Sequence, residues 1–202
     1  GLLKNRRTLS YEVPIGYVPS GSGNDCATAL KMSTDPLSAL NDILELTEST
    51  EINVGYYEES MHHEKGFFVN NIGVGFDAAI VSRANSANSK KTLNKLHLGS
   101  LSYVFSILSV LFSQDSFQLM VHNKSQHDIY QDAFLVTTSN HPYFGGGVPI
   151  LPNATVHDPN LELIVIERHN WLILLWIALF IPSGKHLNSH WVHHYKASSI
   201  RL

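Results

Sequence analysis

The 202 residues contain one cysteine, Cys26, so no disulfide can close within them, which fits a reducing, cytoplasmic compartment. Charge is also scarce, at 15% of residues against about 25% in an ordinary soluble domain. The 14 basic and 17 acidic residues leave a formal net charge of −3, with no block of like charges. That balance argues against a basic face for nucleic acid, a disordered acidic tail, and a polybasic mode of membrane attachment. No apolar run approaches the roughly 20 residues of a transmembrane helix. The longest, Trp171 to Pro182, is too short, and Glu167, Arg168, His169 and Asn170 separate it from Leu161 to Ile166. No secretory signal is read in the first residues. Gly1 to Asn5 reads as the last turn of a helix begun upstream, and Tyr195 to Leu202 as a strand entering a sheet, so a piece of a longer protein is expected.

Hydrophobic residues make up 44% of the chain, ample for a sizeable core. Val13 to Val18 predicts a short buried strand, Pro19 to Gly23 a tight loop, and Cys26 to Lys31 a helical stretch opened by Asn24 and Asp25. Asp35 as N-cap and Pro36 at the first helical position predict a second helix over Pro36 to Leu46. Strands are expected at Ile52 to Glu58, Gly66 to Ile72, Phe117 to Asn123, Ile129 to Thr138, Leu161 to Glu167 and Tyr195 to Leu202. Helices are expected at Leu96 to Phe112 and Trp171 to Ile181, with a polar loop from Ser82 to Lys95. The pattern predicts an α+β chain: residues 1–48 as the end of an α/β domain, and residues 49–202 as a β-sandwich-type domain with embedded helices. Trp171 to Pro182 is apolar on nearly every face. It is read either as a core helix or as a helix whose Trp171 and Trp176 contact a membrane surface or a partner.

Several constellations could carry chemistry. In Pro19-Ser20-Gly21-Ser22-Gly23-Asn24-Asp25, glycines let the backbone aim its N–H groups one way ahead of a helix, an arrangement that suits a phosphate. A strand-to-helix turn with an Asn or Asp cap explains the same residues. A cap needs only one of Asn24 and Asp25, however, which leaves the second free to meet a metal-bound phosphate. Asn70 to Ala78 repeats the form, a strand running into the Gly73-Val74-Gly75 turn and then a helix, with Asp77 as cap or as a polar group at a cleft. The long connection from His141 to Pro159 holds Gly145-Gly146-Gly147 and Asp158, which with backbone carbonyls could take a hard cation or simply form a turn. His186, His190, His193 and His194 cluster near the end, but strand or loop is expected there and no Cys or carboxylate lies nearby in sequence, which disfavours zinc. No Gly-x-Ser-x-Gly elbow supports a serine nucleophile.

Taken together, Val13 to Asp25, Phe67 to Ala78, Tyr143 to Gly147 with Leu151 to Ala154 and Asp158, and Gly184-Lys185-His186 resemble the bacterial diacylglycerol-kinase-like lipid kinases, whose catalytic domain sphingosine kinases share. The resemblance covers most of the chain. It implies an N-terminal α/β nucleotide domain, a C-terminal β-sandwich domain, and transfer of the ATP γ-phosphoryl group to a lipid hydroxyl. On it, Gly21, Ser22, Gly23 and Asn24 contact ATP, with Ser22 where the family usually has Thr, and Asp25 is the acidic residue close to the phosphates and Mg²⁺. Asp158 with the main-chain carbonyls of Thr155 and Asn160 matches a structural Mg²⁺ site of some members. Pro159, Cys26 and Thr28 stand where Gly, Phe and Arg are common. The family's Gly-Gly-Asp-Gly-Thr loop and the Glu that serves as general base fall outside the 202 residues, which alone are expected to be inactive. The implied partner is a lipid at the membrane surface, met peripherally from the cytoplasm, and the chain could pair as a homodimer. A sphingosine-type kinase and a non-catalytic membrane- or partner-binding sandwich are the alternatives. NAD kinase, a more distant relative, fits the sandwich motifs less well.

Overall fold

The computed structural model describes residues 2–8, 11–21, 23–76, 78–79, 113–123 and 126–202. The expected helix Leu96 to Phe112, the polar loop Ser82 to Lys95, Ser22 and Asp77 lie outside these. The chain forms two compact units, one of Gly1–Asn71 with Ser139–Leu161, the other of Ile72–Thr138 with Glu162–Leu202.

In the first unit a 3-10 turn, Leu3–Thr8, precedes two helices, α1 (Asp25–Ala29) and α2 (Pro36–Glu45). α2 begins where a cap and a proline dictate: the Asp35 carboxylate accepts the Ser38 amide at 2.8 Å, and Pro36 has no N–H to satisfy in the first turn. A two-stranded antiparallel sheet follows, β1 (Gly55–Glu59) with β2 (Glu64–Phe68), and the Tyr56 and Phe67 rings face each other across it at 5.5 Å. The segment 139–161 is anchored by buried Ile150, Leu151, Ala154 and Val156. It is joined to residue 53 by two hydrogen bonds: the Asn53 amide donates to the Val156 carbonyl (2.7 Å), and the Asn140 side-chain amide donates to the Asn53 carbonyl (2.7 Å).

The second unit is built on a six-stranded sheet: β3 (Asn71–Gly75), β4 (Phe117–Asn123), β5 (Gln126–Ser139), β6 (Leu161–Glu167), β7 (Val192–Ala197) and β8 (Ile200–Arg201). The main order is β7-β6-β5-β4-β8, with β3 also on β5. β6 is buried at every interior position, including Glu162, as expected of a central strand covered on both faces. One side of the sheet buries Leu119, Val121, Tyr130, Ala133, Val136, Leu163, Val165 and Tyr195 together. The helix α3 (Trp171–Phe180) follows β6, its N-cap Asn170 accepting the Ile173 amide at 3.0 Å. Two 3-10 turns, Ile181–Ser183 and Lys185–Asn188, then lead to β7.

Phe117 to Asn123 and Leu161 to Glu167 form over the residues expected, and the fold class is α+β as predicted. Val13 to Val18 does not form a strand: it is extended and exposed, because no described strand lies beside it to take its hydrogen bonds. The expected strand Gly66 to Ile72 is two strands separated by a bend at Val69 and Asn70, and Tyr195 to Leu202 is likewise split at Ser198 and Ser199. Gly73-Val74-Gly75 is strand rather than turn. Gly75 has φ +78°, and an added Cβ would lie 2.5 Å from the Phe134 carbonyl oxygen, so only glycine fits against β5 there.

Candidate active site

The glycine loop ahead of α1 and the glycine turn in segment 139–161 meet within the first unit. Gly145, Gly146 and Gly147 have φ of 60°, 99° and 91°, values that side chains resist, and Phe144 and Val148 close the turn by exchanging both backbone hydrogen bonds. This run of positive φ turns two successive amides toward Asp25. Its carboxylate accepts from the Gly146 N–H at 3.1 Å and from the Gly147 N–H at 2.6 Å. Gly23 makes the approach feasible, since a Cβ there would sit 3.2 Å from the Gly146 Cα.

Asn24 occupies the N-cap position of α1 in the left-handed region, φ 51°, yet makes no cap. Its Oδ1 instead turns back to accept the Gly21 amide at 2.9 Å, closing the glycine loop. Neither Asn24 nor Asp25 acts as the expected cap, and Asp25 is not free, because both of its oxygens are engaged. A carboxylate offers about four acceptor positions, and the described residues fill two of them. Cys26 follows, buried, with its thiol pushed up by burial.

Thr155, Asp158 and Asn160 lie together in one turn. The Asp158 amide donates to the Thr155 carbonyl (3.0 Å), and Asp158 Oδ1 accepts from both the Asn160 amide (2.9 Å) and the Asn160 Nδ2 (2.8 Å). The donors are all oxygens, which suits a hard cation such as Mg²⁺ rather than a soft one. Among the described residues no three His, Cys, Asp or Glu side chains group to hold a metal, so any ion here must draw on carbonyls.

Three residues that the sequence does not flag, Ser139, Asn140 and His141, belong to the same unit as the clamp. The single Ser139 hydroxyl proton has the carbonyl oxygens of His141 (2.8 Å) and Asn70 (3.1 Å) as acceptors, and Asn140 anchors residue 53, so residues 139 and 140 are tied down by side chains. His141 is fully buried; its Nδ1 accepts the Tyr143 amide at 3.2 Å, and its Nε2 has no hydrogen-bond partner among the described residues. Burial holds the imidazole below the usual histidine range, while the negative charge of Asp25 pulls it the other way. Polar Ser-Asn-His at the end of an apolar strand is the signal that could have found them.

The four C-terminal histidines belong to the second unit, His186 and His190 in turns and His193 and His194 on β7. His193 Nε2 lies 2.7 Å from Glu167, and His194 Nε2 lies 2.9 Å from Glu162, which Lys196 also approaches at 3.4 Å. The carboxylates that sequence proximity does not supply come from β6, and they pair with single histidines rather than gather several about a metal.

Residues 70–202 match the family described as the YegS C-terminal NAD kinase beta sandwich-like domain, and the chain belongs to that family. Residues 1–57 match the diacylglycerol kinase catalytic domain. Among curated relatives, the protein named "Putative lipid kinase YtlR" in Bacillus subtilis strain 168 is 23% identical over 192 residues, which cover 94% of this chain and 62% of that protein. A diacylglycerol kinase of Mycobacterium tuberculosis strain H37Rv is 25% identical over 191 residues, covering 95% of this chain and 59% of the relative. The chain therefore spans about three fifths of the length of these relatives. The fold is shared with a crystal structure of a diacylglycerol kinase from Bacillus anthracis strain Sterne, at TM-score 0.62 and 23% identity, over 96% of this chain and 59% of that one.

Proposed function

We propose that this chain carries the greater part of an ATP-dependent lipid kinase that phosphorylates the hydroxyl of diacylglycerol or a related lipid. The observation that carries the reading is the double hydrogen bond from Gly146 and Gly147 to Asp25, which joins the two glycine motifs into one polar surface. On this reading Gly21, Ser22, Gly23 and Asn24 receive the nucleotide phosphates, and Asp25, held rigid by two amides, keeps its remaining acceptor positions for Mg²⁺. The ion would supply charge neutralisation at the phosphates. Asp158 with the carbonyls of Thr155 and Asn160 would hold a second, structural ion away from the chemistry.

In the transfer, the lipid oxygen forms a bond to the γ-phosphorus, the bond to the β,γ-bridging oxygen breaks, ADP departs, and the hydroxyl proton passes to a general base. The 202 residues contain neither that base nor the Gly-Gly-Asp-Gly-Thr loop of the family, so by themselves they are expected to be inactive. Catalysis of this kind rests on positioning and electrostatics around the phosphates. The protein would act at the cytoplasmic face of the membrane. Among the described residues no helix is long and apolar enough to cross one.

The test is radiolabelled phosphate transfer by the full natural protein, offered short-chain diacylglycerol, a sphingoid base and phosphatidylglycerol in parallel. Phosphorylation of the first, lost about a hundredfold or more in Asp25→Ala, is the expected result. Phosphorylation of the sphingoid base instead would move the substrate class, and no transfer to any of the three would overturn the reading.

A further inference from the structure

α3 has no polar residue among its ten, yet only Leu174 and Ile177 are buried. Trp171 (53% exposed), Leu172 (57%), Leu175, Trp176 and Leu179 (70%) recur at the spacing that places them on one face, and that face is open. Trp176 leans on the Phe180 ring at 4.5 Å, so the two aromatics present a joined surface. A contiguous exposed apolar patch of this kind marks an interaction site, not ordinary surface scatter.

Its surroundings say what it meets. All 17 acidic residues of the chain lie at or before Glu167, whereas Arg168, Lys185, Lys196 and Arg201 follow with no acid among them. The near-neutral total therefore conceals a cationic last 35 residues that contain α3. Lys196 is taken up by Glu162, but Lys185 is exposed on the 3-10 turn that packs against α3. An apolar face bearing Trp and Leu, with an exposed cation at its end, is complementary to an anionic bilayer: the rings enter the headgroup boundary and Lys185 meets a lipid phosphate.

We infer that the face of α3 formed by Trp171, Leu172, Leu175, Trp176 and Leu179, with Lys185 at its end, is the surface by which this protein docks on anionic lipid bilayers. The inference rests on the lipid-kinase reading for its purpose, to hold the enzyme where its substrate is, but not for its physics. With one apolar patch and few cations the attachment is reversible.

The experiment is co-sedimentation of the full natural protein with vesicles of phosphatidylcholine alone or mixed equally with phosphatidylglycerol. Activity toward a soluble short-chain diacylglycerol is assayed without vesicles. Binding to the mixed vesicles is expected to fall about tenfold or more in Trp171→Ser/Trp176→Ser. Lys185→Gln is expected to lower the preference for anionic vesicles about fivefold. Activity on the soluble substrate stays within twofold in both variants. Unchanged vesicle binding in the double variant overturns the docking surface. So does a dimer in light scattering that the double variant dissociates, because the face then meets a second copy. Absence of soluble activity in the unsubstituted protein, with vesicle binding intact, strikes the kinase reading alone.

Discussion

Asp25 and Gly147 are 122 residues apart, and the amide of the second donates to the carboxylate of the first at 2.6 Å. With Gly146 beside it, the pair is a clamp on a turn that has few other means of holding its shape. Asp25→Ala removes the acceptor of two charge-assisted hydrogen bonds and should lower unfolding free energy by about 1–3 kcal/mol. Chemical denaturation measures the loss, and limited proteolysis at residues 143–148 should accelerate. Unchanged cleavage there would mean that Phe144 and Val148 hold the turn alone.

Two glycines at this contact should fail for different reasons. At Gly147 nothing lies within 4 Å of an added Cβ, so Gly147→Ala costs only backbone strain, about 1–2 kcal/mol. Gly23→Ala keeps an ordinary backbone but presses on the Gly146 Cα, forcing the loops apart. Stability should therefore suffer in the first, and in the second the amide signals of Gly146 and Gly147 should shift in NMR spectra even where the melting temperature holds.

His141 should make stability depend on pH. Its folded-state pKa is lowered, chiefly by burial, so the unfolded chain takes up its proton first as pH falls below about 6.5. Stability is full above that value and is lost on acidification toward the lower folded-state value. His141→Gln should flatten the dependence of unfolding free energy on pH between about 7.5 and 5. An identical slope in the variant would assign the effect to other groups.

In the second unit, Tyr195 donates to Asp128 at 2.8 Å and shares a hydrogen bond with the Tyr130 hydroxyl, joining β7 to β5 above the strand between them. Burial, with the contacts to Tyr130 and Asp128, pushes the Tyr195 phenol far up. Tyr195→Phe removes the partner of the buried Tyr130 hydroxyl and of half-buried Asp128 and should cost about 1–3 kcal/mol. Tyr130→Phe, which leaves the bond to Asp128 in place, should cost less. Denaturation of both variants gives the comparison.

The parts of the fold legible in the sequence are those whose cause is local. Asp35-Pro36 starts α2 because a carboxylate and a ring act within one turn, and Leu161 to Glu167 is a strand because its Leu163 to Ile166 stretch is a continuous apolar run rich in β-branched residues. Val13 to Val18 has the same texture without a neighbouring strand, and texture does not report neighbours. At the candidate site, the glycine loop and Asp25 could be singled out as polar chemistry, and the Gly145-Gly146-Gly147 turn could be noted separately. That the two bind each other could not be read, because the contact is a carboxylate meeting main-chain amides, which every residue carries. His141 escaped notice among 12 histidines, since a buried imidazole is distinguished only by what surrounds it.

Cys26 gives the clamp a built-in clock. It is the one thiol in the 202 residues, it is buried, and it follows Asp25 directly in α1. Burial raises its pKa and keeps the reactive thiolate scarce, so alkylation is expected to be slow while α1 stays closed. The labelling rate of this cysteine thus times how often the polar surface around Asp25 comes apart, and a ligand seated on that surface should slow it in proportion to its occupancy.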